Sequence, residues 1–183
     1  MLLYRVFPHL DGAGPDNPGD ALYVDPRQGA GRWDNPDRYL SRYLAVSPGA
    51  AVGEAFAHLT VWTPAMLARP DLPGSERRIG TYQFDEAADA FLDLDDAKAL
   101  LDRGLRPTDV VIRDRPKTQQ IAAAIFDERR WAGLSWWSYH RPQWVVVVLW
   151  AGPNLTVRSV DPIPGHPALD EAASSLRKVR RGI

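Results

Sequence analysis

The sequence predicts an α+β fold: mixed, mostly antiparallel sheets with flanking helices, in a single domain spanning residues 1–183. Three observations carry this. Strand-patterned and helix-patterned segments are interleaved without regular β-α-β alternation, which argues against a doubly wound parallel sheet. No internal repeat, and no linker long enough to divide the chain, interrupts the 183 residues. Hydrophobic residues make up 45% and charged residues 25%, enough apolar side chains for a core and too few charges for disorder.

Leu2 to Phe7 reads as the first strand, and Pro8 to Gly19 as a loop dense in Gly, Pro, Asp and Asn. Ala21 to Val24 is a short strand. A second loop, Asp25 to Tyr39, holds Gly29, Gly31 and three arginines. Tyr43 to Val46 is apolar and β-prone. Ser47-Pro48 then opens a helix, since Ser is a good N-cap and Pro suits the first helical position. Val52, Ala55, Phe56 and Leu59 form its apolar stripe. Glu54 points away from that stripe, among Ala50, Ala51, Ala57 and His58. Taken alone it is an exposed helix glutamate, although a side lined with alanines can also face a second element or a cleft.

Thr63 to Arg69 reads as a short helix and Arg69 to Glu76 as a Pro-rich turn. Arg78 to Phe84 and Ala90 to Leu94 are strands. Asp95 or Asp96 caps a helix through Leu101, and Gly104 stops it. Val110 to Ile112 is a short strand. Pro116 to Arg130 is the clearest helix, with Ile121, Ala124 and Ile125 as its stripe and Arg129-Arg130 complementing its C-terminal dipole. Gly133 to Tyr139 is a strand presenting Leu134, Trp136 and Ser138 on one face. Trp144 to Trp150 is apolar on both faces and reads as a central buried strand. Leu155 to Val160 is a strand and Pro167 to Arg180 a terminal helix.

Several functions are disfavoured by composition. A net charge of -1 gives no broad footprint for nucleic acid or membrane. The basic end (Arg177, Lys178, Arg180, Arg181) reads as solvated. The absence of cysteine removes disulfides, thiolate chemistry and Cys-based zinc sites, and it suits a reducing, cytoplasmic setting. The N-terminus lacks a signal peptide's apolar core, and the longest apolar run, Trp144 to Ala151, is too short to span a bilayer. The histidines (His9, His58, His140, His166) lack ligand spacing, so no metal site is expected. In Gly29-Ala30-Gly31-Arg32, Asp34 occupies the place of the third glycine of a dinucleotide fingerprint. Asp93-Leu94-Asp95-Asp96 lacks the glycine and distal glutamate of a calcium loop, and reads as a strand end followed by a helix cap.

What remains is an ordered set. Leu3-Tyr4-Arg5-Val6, Gly31-Arg32-Trp33, Tyr43-Leu44-Ala45 followed by Ala51 and Glu54, and Gly133-Leu134-Ser135-Trp136-Trp137-Ser138 together resemble the RES domain, a family named for its arginine, glutamate and serine. The match favours Ser138 over Ser135, because Ser138 ends the short aromatic stretch. Ala30 and Asp34 depart from the family pattern, and Val61 to Ile79 matches none of it.

The resemblance implies a fold like that of diphtheria-toxin-type ADP-ribosyltransferases, and the toxin half of a toxin–antitoxin pair. Such toxins deplete NAD by cleaving its nicotinamide–ribose bond, by hydrolysis or phosphorolysis. NAD is then the substrate, with no cofactor and no metal. The implied partner is a helix-turn-helix antitoxin that blocks the active site, with a homodimer in the complex left open. Neither direct nucleic-acid binding nor membrane association is implied. The resemblance also allows an ADP-ribosyltransferase modifying a host protein. A catalytically silent binding module is the competing reading from another class.

The residue types suit glycosidic cleavage. Arg32 offers a planar fork of donors for a diphosphate. Tyr43 can stack on the nicotinamide ring or direct its hydroxyl to the ribose. Glu54 supplies an anion beside a developing oxocarbenium ion. Ser138 can orient Glu54 or the ribose, and no histidine is placed to make it a nucleophile. Read singly, each has a plain structural explanation. Read as a set, Arg32, Tyr43, Glu54 and Ser138 are the catalytic candidates, with Arg32 and Tyr43 also binding substrate.

Overall fold

A computed structural model describes residues 1–15, 17–150 and 155–183. Asp16 of the first loop and Ala151, which ends the long apolar run, lie outside the described residues. The fold is α+β, as the mixed patterning predicts. Its centre is a seven-stranded sheet formed by β1 (Leu2–His9), β2 (Ser41–Ala45), β4 (Glu76–Phe84), β5 (Phe91–Asp93), β6 (Gly133–Trp137), β7 (Val145–Trp150) and β8 (Leu155–Pro162). The spatial order is β5-β6-β7-β2-β1-β4-β8. Only the β5–β6 pair in it is parallel. A small second sheet pairs β3 (Val61–Trp62) with β9 (Val179–Arg180) in parallel.

Strand alternation divides the sheet into two faces. Leu3, Phe7, Leu44, Tyr82, Phe84, Val147 and Leu149 pack on the rear. Ala45, Leu134, Trp136, Val146, Val148 and Trp150 pack on the front. β7 contributes to both, as its uninterrupted apolar run requires. The front is covered by α1 (Pro48–Phe56), α4 (Arg115–Asp127) and α5 (Pro167–Ser175), whose buried residues join the same cluster.

α1 begins as the sequence dictates: the Ser47 hydroxyl accepts from the Ala50 amide at 3.2 Å, and Pro48 fills the first turn. Its buried face is wider than a stripe. Gly49, Ala50, Ala51, Val52, Gly53 and Phe56 are all buried, because the helix is packed on more than one side. Ala55 and Leu59 are only partly covered.

The structure corrects several local expectations. Ala21 to Val24 is not a strand. Its carbonyls are taken by side chains from three adjacent strands: Tyr82 donates to Ala21 at 2.8 Å, Arg42 to Leu22 at 2.5 Å and Arg5 to Tyr23 at 3.0 Å. Burial and the neighbouring Arg5 hold the Arg42 guanidinium down at about 10. Val110 to Ile112 is not a strand either. Pro107 starts a short helix, α3 (Pro107–Val111), and the Asp109 carboxylate accepts from the Arg106 amide at 2.9 Å. Thr63 to Arg69 contains one 3-10 turn, Pro64–Leu67.

The α2 helix (Ala97–Leu101) is capped by Asp96, and Gly104 follows with φ 63°. On α4 the buried residues are Thr118, Ala122 and Ile125, one step round from the expected stripe; Ala124 is exposed. The terminal helix stops at Ser175, and Val179–Arg180 form β9 instead. The basic end is not simply solvated. Lys178 Nζ caps the end of α1 by donating to the Ala57 and Leu59 carbonyls at 2.7 and 2.8 Å, and Arg180 pairs with Asp170.

Candidate active site

The four candidate side chains come from four separate places in the chain and converge on one cleft at the front of the sheet. Glu54 leaves α1, Tyr43 leaves β2, Arg32 leaves the Asp25–Tyr39 loop and Ser138 follows β6. The cleft has two compartments. One, of about 380 Å³, is lined mainly by apolar and aromatic groups including Tyr4, Val6, Ala45, Ala51 and Val146, with Arg5 also on its wall. The other, of about 520 Å³, is cationic, with Arg32, Arg113, Arg115 and His140 on its walls. Tyr43, Glu54 and Trp136 belong to both and form the waist between them.

The Glu54 carboxylate is held from one side. Ser138 Oγ donates to Glu54 Oε1, and that same Oγ accepts from the amides of His140 and Arg141 at 3.0 and 3.2 Å. The serine is buried and its hydroxyl hydrogen is thereby fixed on the carboxylate. The Ser138 amide donates to the Trp144 carbonyl at 2.8 Å, which closes the turn between β6 and β7. No other described residue bonds the Glu54 carboxylate, so its second oxygen is open to the cleft. Ser135, the competing serine, donates to Asp93 at 3.0 Å and takes no part.

Tyr43 does not direct its hydroxyl into the cleft. That hydroxyl donates to Asp34 Oδ1 at 2.8 Å and accepts from the Trp33 amide at 2.9 Å. Burial, and then the Asp34 charge, push its ionisation far above the usual tyrosine range, so it stays neutral. What it offers the cleft is its ring, which stands edge-on to Trp136 with centroids 6.3 Å apart.

Arg32 is anchored on α3 by one nitrogen, Nη1, which donates to the carbonyls of Val110 and Ile112. The side chain also lines the cationic compartment, with Cζ 6.0 Å from the centroid of the Trp33 ring. Burial first, and then the nearby Arg115, lower its pKa, while Tyr43 and Glu54 act the other way. Arg115 Nη1 is itself buried without a hydrogen-bond partner among the described residues. Such a compartment favours an anionic ligand with several oxygens. At its mouth the Arg113 guanidinium lies 5.1 Å above the Tyr139 ring and donates to its hydroxyl at 3.1 Å.

Arg113, Arg115, Tyr139 and His140 were not legible as site residues. Tyr139-His140 follow Ser138 directly, a signal that proximity in sequence could have supplied. Arg113 precedes α4 and Arg115 is its first residue, and neither carries a pattern pointing to the loop of Arg32. Among the described residues no cluster of three or more His, Cys, Asp or Glu is arranged to hold a metal ion, and no helix is long and apolar enough to cross a membrane.

Comparison with known proteins supplies three findings. The family model described as the RES domain matches residues 2–169. No curated protein matches the sequence. Among solved structures, a chain of the M. tuberculosis MbcT–MbcA toxin–antitoxin complex is similar, with a TM-score of 0.65 at 21% sequence identity, covering 94% of this chain and 89% of that one. At that identity the likeness speaks for the fold.

Proposed function

The chain belongs to the RES domain family, and on that premise we propose that it is the toxin of a toxin–antitoxin pair, acting by cleaving NAD at the nicotinamide–ribose bond. One observation carries the reading: Glu54, oriented by Ser138, stands at the waist between an apolar and a cationic compartment. NAD has the complementary shape, a flat nicotinamide joined through ribose to a diphosphate. With the ring among Tyr4, Tyr43 and Trp136 and the phosphates toward Arg32 and Arg115, the scissile bond lies at Glu54.

The chemistry asks little proton transfer. The C1′–N bond breaks with its electron pair passing to the pyridinium nitrogen, so nicotinamide leaves neutral. Positive charge develops on the ribose, and the open oxygen of Glu54 meets it or holds the sugar hydroxyls. Water or phosphate then bonds to C1′ and gives up a proton, yielding ADP-ribose or its phosphorylated form. NAD is the substrate, and no further cofactor is invoked. The structural likeness to a chain of a toxin–antitoxin complex supports an antitoxin as partner. We take this partner to be a helix-turn-helix protein that covers the cleft, and the setting to be cytoplasmic.

The test is NAD turnover by purified protein, wild type beside Glu54→Gln, with and without phosphate and with products separated. Free nicotinamide from wild type alone is expected, and the accompanying product names the acceptor. Equal turnover by Glu54→Gln removes Glu54 from the mechanism, and no turnover by wild type overturns the reading.

A further inference from the structure

We infer that Asp34 is a positioning residue that holds Arg32 to the cleft, an inference that rests on the proposed NAD-cleaving role of that site. Arg32 lies in an irregular loop, where no sheet or helix satisfies the backbone. Side chains do so instead, on both sides of it. The Gly31 amide donates to Asp34 Oδ2 at 2.6 Å, and the Gly31 carbonyl accepts from Gln119 of α4 at 3.0 Å. The Trp33 amide donates to the Tyr43 hydroxyl at 2.9 Å, and the Trp33 carbonyl accepts from Tyr39 at 2.8 Å. Arg32 is thus suspended between two residues whose polar backbone groups are all engaged.

Asp34 joins the two sides. One carboxylate oxygen takes the amide before Arg32. The other takes the Tyr43 hydroxyl hydrogen, which turns the hydroxyl oxygen toward the amide after Arg32. Asp34 is 4% exposed and its carboxylate forms no ion pair among the described residues. Burying a charge on neutral donors alone is unfavourable, and packing by itself would be served by an apolar or neutral side chain. The arrangement also needs Gly31: a Cβ there would lie 2.5 Å from both Asp34 Oδ1 and the Tyr43 hydroxyl.

The experiment combines Asp34→Ala and Asp34→Asn with Arg32→Ala, read by amide hydrogen exchange and by steady-state NAD kinetics. In Asp34→Ala, exchange rises in peptides covering residues 29–35 and is unchanged in β2 and α1. KM for NAD rises about tenfold while kcat stays within about twofold. In the Arg32→Ala background the further rise in KM disappears, because Asp34 acts through a side chain no longer there. Asp34→Asn keeps one acceptor, falls between, and guards against a misfolded alanine variant.

Unchanged exchange at 29–35, or the same KM penalty in both backgrounds, overturns the inference. Absence of NAD turnover by wild type sinks the proposed function instead. The exchange measurement then still decides whether Asp34 holds the loop.

Discussion

Ser138 shows how much one hydroxyl can settle. It donates to Glu54 and accepts two amides of the turn that follows, so all of its hydrogen-bonding capacity is used. Ser138→Ala therefore does two things. It orphans the amides of His140 and Arg141, which costs about 1–3 kcal/mol of stability. It also frees the Glu54 carboxylate to rotate. We expect kcat for NAD cleavage to fall about ten- to a hundredfold with little change in KM, measured at a temperature where both proteins are folded. A rise in KM with kcat unchanged would point to Ser138 touching substrate rather than orienting Glu54. The four candidate residues were legible only as an ordered set. Glu54 read singly was one more helix glutamate, since sequence shows which way it faces but not that β1 and β2 leave a cleft there. Of the two roles the sequence allowed Tyr43, the structure leaves the ring to the cleft and commits the hydroxyl to Asp34, a partner that looked like a departure from a pattern rather than a contact.

At the scale of elements, α1 is where fold and site meet. Its start was written in Ser47-Pro48, a local signal that tertiary packing did not override. Its tight seating was not, because close approach depends on what lies opposite. A Cβ on Gly53 would sit 2.2 Å from the Trp144 ring. Gly53→Ala must push α1 from the β6–β7 turn, and Glu54 is the next residue. We expect destabilisation of about 1–3 kcal/mol in thermal or denaturant melts. A loss of NAD turnover larger than that of a comparably destabilised core variant should accompany it. Equal losses in both would mean that Glu54 tolerates the shift. α3 was misread for a related reason: Val110-Val111-Ile112 is β-prone by composition, but Pro107 and the Asp109 contact to the Arg106 amide decide the backbone first. The error mattered, since the carbonyls of Val110 and Ile112 anchor Arg32.

Across the whole molecule, distant segments close on one another. The N-terminal ammonium donates to the Phe84 carbonyl at 2.8 Å, and the last strand, β9, pairs with β3 just beyond α1. Lys178 completes the tie by capping α1. Removing residues 177–183 should lower the melting temperature and reduce NAD turnover together, although none of those residues lines the cleft. Unaltered turnover at a lowered melting temperature would separate the C-terminal tie from the site. Sheet order belongs to this scale as well. That β7 is buried on both faces was legible in its apolar run. That β2 lies between β7 and β1, carrying Tyr43 to the middle of the sheet, depends on long-range pairing that no local pattern records.

The waist formed by Tyr43, Glu54 and Trp136 makes any ligand that fills both compartments a bivalent one. While the nicotinamide–ribose bond is whole, each half keeps the other at high effective concentration. Once the bond breaks, the tether is gone. In the proposed placement, nicotinamide is then left with only the apolar recess, and the ADP-ribosyl piece with only the arginines. On the proposed function, the cut itself abolishes the avidity that held the substrate, and cleavage clears the cleft.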